Sequence, residues 1–174
     1  MKNEYFGDKY DFRKYGLLQF LQGGESVGWN WSIFMNWMLT KSETDEGEGR
    51  NYAHLQNNAP DIFKKLQPYN KHKKGRKVSH FPQLEILSQE TEYYTDCVPD
   101  ATDATLQKTI AEARKCWFDK FIKAIKAANH DLIFFDPDNG IEVKSTGYNS
   151  SNSYKYLYLD EIEEIYRQGK NILI

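Results

Sequence analysis

The chain has 174 residues, 40% hydrophobic and 15% aromatic, which suits one packed domain and argues against wholesale disorder. A mean hydropathy of -0.76, with no apolar run near the roughly 20 residues that span a bilayer, excludes a transmembrane helix. Lys+Arg 23 against Asp+Glu 25 gives a net charge of -2, which excludes a uniformly basic nucleic-acid coat and leaves room for a local basic patch.

In chain order, Asp8 to Leu21 reads as a helix, with Asp8 or Asp11 to cap it and Phe12, Tyr15, Leu18 and Leu21 at helical spacing. Gly23-Gly24 ends it. Ser32 to Thr40 is short, apolar and aromatic, the pattern of a buried strand, and the acidic, glycine-bearing run from Lys41 to Arg50 is a loop beyond its carboxyl end. Ile62, Phe63 and Leu66 mark a short helix. Lys71 to Lys77 is a basic loop, and Val78 to Leu87 and Glu92 to Val98 are strand candidates. Thr105 to Asn129 is a long helix with Leu106, Ile110, Trp117, Phe121 and Ile125 on one stripe; Trp117 is core and Arg114 snorkels from the stripe's edge. Asp131 to Phe135 is a second buried strand, stopped by Asp136-Pro137-Asp138-Asn139-Gly140. A Gly/Asn/Ser loop follows over Ser145 to Ser153. Tyr154, Tyr156 and Tyr158 alternate, as either a strand edge or an aromatic wall would. A last helix starts at Asp160, with Glu163 closing a capping box, and ends at Gly169; Asn171 to Ile174 begins another strand.

This alternation predicts a single α/β domain over residues 1–174, Rossmann-like, with a mostly parallel sheet flanked by helices and short of its last strands. Ligands of open α/β sheets bind beyond the carboxyl ends of the strands. Two segments fall there: Thr44 to Arg50, and Asp136 to Gly140. Gly47 and Gly49 permit close backbone approach to a ligand, and Pro137 stiffens the chain between Asp136 and Asp138. Lys71, Lys73, Lys74, Arg76 and Lys77 concentrate positive charge, which reads either as a solubilising loop or as a phosphate-binding surface for a nucleic-acid partner. Trp29, Trp31 and Trp37 cluster around the first strand; core packing accounts for Trp37, while Trp29 and Trp31 at the strand's entrance pack under the opposite end of the sheet or, in a second reading, stack on bases. The histidines show no paired ligand spacing. With 2 Cys in unrelated contexts, neither a disulfide framework nor a zinc site is expected, and the absence of an apolar leader at the start points to the cytoplasm.

The opening Gly7-Asp8-Lys9-Tyr10-Asp11-Phe12-Arg13-Lys14-Tyr15, followed by Leu17-Leu18, resembles the G-N-x-x-D-x-x-K-H-x-x-L signature of bacterial large-subunit ribosomal RNA adenine-N6 methyltransferases. Gly47-Glu48-Gly49-Arg50 is similar to that family's G-x-G-R cofactor loop, and Asp136-Pro137-Asp138-Asn139 stands where the family has D-P-P-Y. The resemblance implies a class I fold that binds S-adenosylmethionine through Asp45, Gly47, Gly49 and Arg50. It also implies a reacting end built from Asp136, Lys14, Asp138 and Asn139, with Asp136 accepting a hydrogen bond from the target amino group. Asp138 and Asn139 replace the family's Pro and base-stacking Tyr.

That substitution, together with the acidic loop, opens a second chemistry. Glu46 with Asp136 and Asp138 would form an oxygen-rich site for magnesium, able to activate water against a phosphodiester. A third reading is a catalytically silent member of the fold that binds a nucleotide or a protein partner.

Overall fold

A computed structural model of the protein describes residues 2–23, 28, 30–40, 51–71, 76–100 and 109–174. The chain divides into two compact units, one comprising residues 32–41 and 92–174, the other residues 2–31 and 42–91. Among the described residues no helix is long and apolar enough to cross a membrane.

The first unit is an α/β, Rossmann-like layer structure. Its strands are β1 (Ile33–Asn36), β2 (Glu92–Tyr94), β3 (Leu132–Phe135) and β4 (Asn171–Leu173), and its helices are α3 (Ile110–Ala127) and α4 (Leu159–Arg167). The sheet has the order β2-β1-β3-β4 and every neighbouring pair is parallel. The two central strands, Ile-Phe-Met-Asn and Leu-Ile-Phe-Phe, are buried at every residue, as expected of parallel strands covered on both faces. Asn36 pairs with Phe135, so β1 and β3 end level with each other.

The stripe expected on the long helix is present over Trp117, Phe121 and Ile125; Ile110 is half-buried outside that core, and Leu106 lies outside the described residues. Trp117, Phe121 and Ile125 from α3 and Ile165 from α4 form one core with Phe34 of β1 and Ile133 and Phe135 of β3. Phe121 is its centre, with ring centroids 5.9 Å from Phe34, 5.2 Å from Phe135 and 5.1 Å from Tyr94. Thr109 caps α3 in a reciprocal box with Glu112, whose carboxylate accepts from the Thr109 backbone N–H. The expected start of this helix, from Thr105 to Lys108, lies outside the described residues.

Several expectations are corrected here. Arg114 does not snorkel: it is completely buried. The last helix begins at Leu159, and Glu161 rather than Glu163 accepts from the preceding backbone, at Tyr158 N. A second carboxylate, Glu142, accepts from Leu159 N at 2.8 Å, and Asp160 accepts from Glu161 N at 3.1 Å, so three of the amides opening α4 are closed by side chains. Tyr154 and Tyr156 belong to no strand: Tyr154 lies in the 3-10 turn Ser153–Lys155, and Tyr156 follows it.

The second unit contains α1 (Lys9–Leu21) and α2 (Pro60–Lys71). Asp8 caps α1 by accepting from Tyr10 N and Asp11 N. Its core is aromatic: Tyr15 lies 4.1 Å from Phe81, Phe6 4.7 Å from Tyr69 and Phe12 5.5 Å from Tyr52, centroid to centroid. Val78 to Leu87 is not a strand. It forms two 3-10 turns, Val78–His80 and Pro82–Leu84, after which Glu85 adopts a left-handed φ of 48°. Pro82 has no N–H for a ladder, so Val78, Phe81, Ile86 and Leu87 are buried along a winding path instead.

Candidate functional site

Chain order and strand order together define a switch point. From β1 the chain pairs on one side with β2 and later crosses to β3 on the other, so the connections leave β1 and β3 in opposite directions. A crevice opens between strand ends at such a point. Here the two chains are tied at the rim, where Asp136 N donates to Asn36 O at 3.1 Å. Residues 37–40 and 136–140 therefore leave the sheet at the same edge.

The segment after β1 turns sharply. Asn36 Oδ1 accepts from Met38 N at 2.8 Å, and Met38 takes a left-handed φ of 47°. A non-glycine side chain in that region costs about 1–2 kcal/mol, and such strain is concentrated at ligand sites. Asn36 is completely buried, and its Nδ2 has no hydrogen-bond partner among the described residues. Buried amides without partners are rare, and one at a strand's carboxyl end is suited to an incoming acceptor. Beside it, the buried Trp37 stacks on Tyr93 with centroids 5.2 Å apart.

The segment after β3 is held by backbone bonds rather than by a regular ladder. Asn139 N donates to Lys155 O, Leu157 N to Gly140 O and Glu142 N to Leu157 O, each at 2.9 Å. Gly140 occupies φ +80°, so Gly serves the turn itself. Asp136 is half-buried, while Asp138 and Asn139 are exposed. The backbone thus presents all three polar side chains at the rim.

The remaining sequence candidates fall as follows. Asp45, Glu46, Gly47, Gly49 and Arg50 lie outside the described residues, as do Lys73, Lys74 and the side chain of Lys71. Among the described residues no group of three or more His, Cys, Asp or Glu could hold a metal ion. Lys14 belongs to the second unit. Its Nζ lies 3.1 Å from Asp11 Oδ1, while Asp11 Oδ2 accepts from Gly7 N at 2.9 Å. The Gly-Asp-x-x-Asp-x-x-Lys spacing therefore has a local purpose, closing the first turns of α1.

Arg76 corrects the basic-loop expectation. It is 8% exposed, and its guanidinium donates to the carbonyls of Tyr69 and Glu4 at 2.7 and 3.2 Å, which ties α2 to the amino-terminal turn. Lys77 is exposed. Trp29 lies outside the described residues and Trp31 is half-buried. Of the described histidines only His130 is buried; its Nε2 lies 3.1 Å from Glu92 Oε1, at an angle that makes no hydrogen bond.

Two features escaped the sequence reading. Asn36 carried a signal, being the one polar residue in an apolar strand. Met38 carried none, because left-handed methionine has no sequence signature. Set against protein-family models, curated proteins and solved structures, this chain matches none of them.

Proposed function

We propose that the protein is a methyltransferase-like enzyme that acts on nucleic acid with S-adenosylmethionine, with Asp136 at the reacting end. The observation that carries this reading is the bond from Asp136 N to Asn36 O at the switch point of a parallel sheet. It sets the backbone of residue 136 at the strand end beside the crevice where ligands of such folds bind. The unpartnered Asn36 amide supports a polar ligand at the same edge, since an acceptor on that ligand would complete it.

S-adenosylmethionine, when bound, supplies an electrophilic methyl group. The protein's own part is to hold the target. Asp136 accepts a hydrogen bond from the target amino group, and that bond raises the nitrogen's electron density and fixes its direction. Asp138 and Asn139, exposed beyond it, offer hydrogen bonds to the base edge where a stacking ring is absent.

The test is a thermal-shift panel followed by transfer of a labelled methyl group to RNA and DNA. Cofactor at about a hundredfold over Kd adds about 2.7 kcal/mol, which raises Tm by about 5–10 °C in a chain of this size. Asp136→Ala should retain that shift and abolish transfer. No shift at millimolar S-adenosylmethionine or S-adenosylhomocysteine overturns the proposal. A shift with magnesium or manganese, lost in Asp138→Ala and accompanied by cleavage, replaces transfer with hydrolysis.

A further inference from the structure

Between α3 and α4 lies a cavity of about 620 Å³, formed by the helical layer and Tyr148 rather than by the strand ends. That volume falls in the range of small-molecule sites. Its apolar lining is Ala111, Phe118 and Ile122, the last two of which also belong to the core. Tyr148 forms a firm wall, stacked on Tyr158 with centroids 3.9 Å apart and planes 17° from parallel.

The charged groups of the lining do not balance. Lys115 is paired with Asp119 at 2.9 Å, and Glu161 with the buried Arg114 at 2.8 Å. Two carboxylates remain, and each has only neutral donors. Asp160 accepts from the Tyr148 hydroxyl at 2.5 Å and from Glu161 N at 3.1 Å. Glu164 accepts from Gln168 Nε2 at 2.8 Å. Neither has a cationic partner among the described residues. Spaced four apart on α4, the two share one helix face. Burial and the bond to Asp160 push the Tyr148 phenol well above its ordinary pKa, so it remains a donor that orients that carboxylate.

We infer that this cavity binds a small organic cation, an ammonium group lying between Asp160 and Glu164 with its apolar body against Phe118, Ile122 and Tyr148. An anion would meet two uncompensated carboxylates, and a neutral ligand would leave them without a counter-charge. A bare polyamine would leave the apolar wall uncovered.

The experiment is a titration of the full chain, followed by calorimetry and backbone amide shifts, with four probes: phenethylamine, phenethyl alcohol, 3-phenylpropionate and putrescine. Phenethylamine should saturate and move amides of α3 and α4, with the alcohol and putrescine at least about tenfold weaker and the propionate silent. Glu164→Gln and Asp160→Asn should each weaken the amine about fivefold or more and leave the alcohol unchanged. Asp160 lies in the first turn of α4, so its variant is checked for folding. Glu164 bonds within its own helix, and its variant carries the test alone should the other melt early. Equal binding of amine and alcohol overturns the inference, as does an undiminished amine affinity in Glu164→Gln. So does the absence of saturation by any probe up to about 20 mM. Saturation by an acetylated Phe-Lys amide, with the free amine silent, would make the occupant a protein segment and overturn it as well.

Discussion

Arg114 is spaced like a residue at the edge of a helical stripe, yet its side chain has no exposure. Nε and Nη2 donate to the two oxygens of Glu161 at 2.8 Å each, Nη1 donates to Ser153 O at 3.0 Å and Nη2 to Tyr156 O at 2.7 Å. The guanidinium also lies 4.6 Å from the Tyr158 ring centroid. Removing one partner of such a pair leaves the other charge buried, so Arg114→Ala should cost about 3–5 kcal/mol in urea unfolding. Arg114→Lys should recover little, because an ammonium cannot make the two-pronged contact and reach both carbonyls. Glycine positions give a second, contrasting pair. A Cβ on Gly7, at φ +82°, would lie 2.8 Å from Tyr69 Cβ, whereas one on Gly140, at φ +80°, would meet nothing within 4 Å. Gly140→Ala should therefore cost only the backbone term, about 1–2 kcal/mol, and Gly7→Ala clearly more, as read by the shift in denaturant midpoint.

At the scale of the element, legibility followed burial. β1 and β3 were readable because four consecutive buried residues must be apolar, and α3 because its stripe repeats over several turns. Boundaries were less so. β1 stops at Asn36, short of the apolar run, because Met38 turns the chain with a backbone conformation that composition does not announce. Val78 to Leu87 has the residues of a strand and lacks the ladder. The opening of α4 is closed by Glu142, seventeen positions upstream of the amide it serves, a partnership that no local window contains. The candidate site divides in the same way. Asp136 was visible as a carboxylate after a buried strand, whereas the buried Asn36 amide acquires meaning only once β1 and β3 are neighbours. Thr109 tests the local part directly: Thr109→Ala removes the side-chain half of the α3 cap and should cost about 1 kcal/mol.

For the molecule as a whole, the tyrosines set an alkaline limit. Burial, aided by Asp96 at Tyr94 and by Asp160 at Tyr148, raises both phenols above 10.0, and burial raises Tyr158 as well. A phenol whose folded pKa is raised keeps its proton in the native state while the unfolded chain releases it. The associated stability is complete below pH 10.0 and falls as pH rises beyond it. Denaturant midpoints should accordingly hold steady up to about pH 9 and then decline, with the share of tyrosinate absorbance that belongs to Tyr94, Tyr148 and Tyr158 appearing together with unfolding rather than before it. Tyr148→Phe should flatten that decline while lowering stability near neutrality through the lost bond to Asp160.

The central seam of the sheet also governs how the chain comes together. Ser32 and Asp131, whose side chains bond at 2.6 Å where β1 and β3 begin, are 99 positions apart. Closing so long a loop exacts its entropy before any seam contact repays it, which slows the search. During synthesis β2 can cover one edge of β1 early, but the edge that meets β3 must wait, unzipped and oily, until most of the polypeptide has left the ribosome. Over that interval its natural companions are chaperones, or the same strand on another nascent chain.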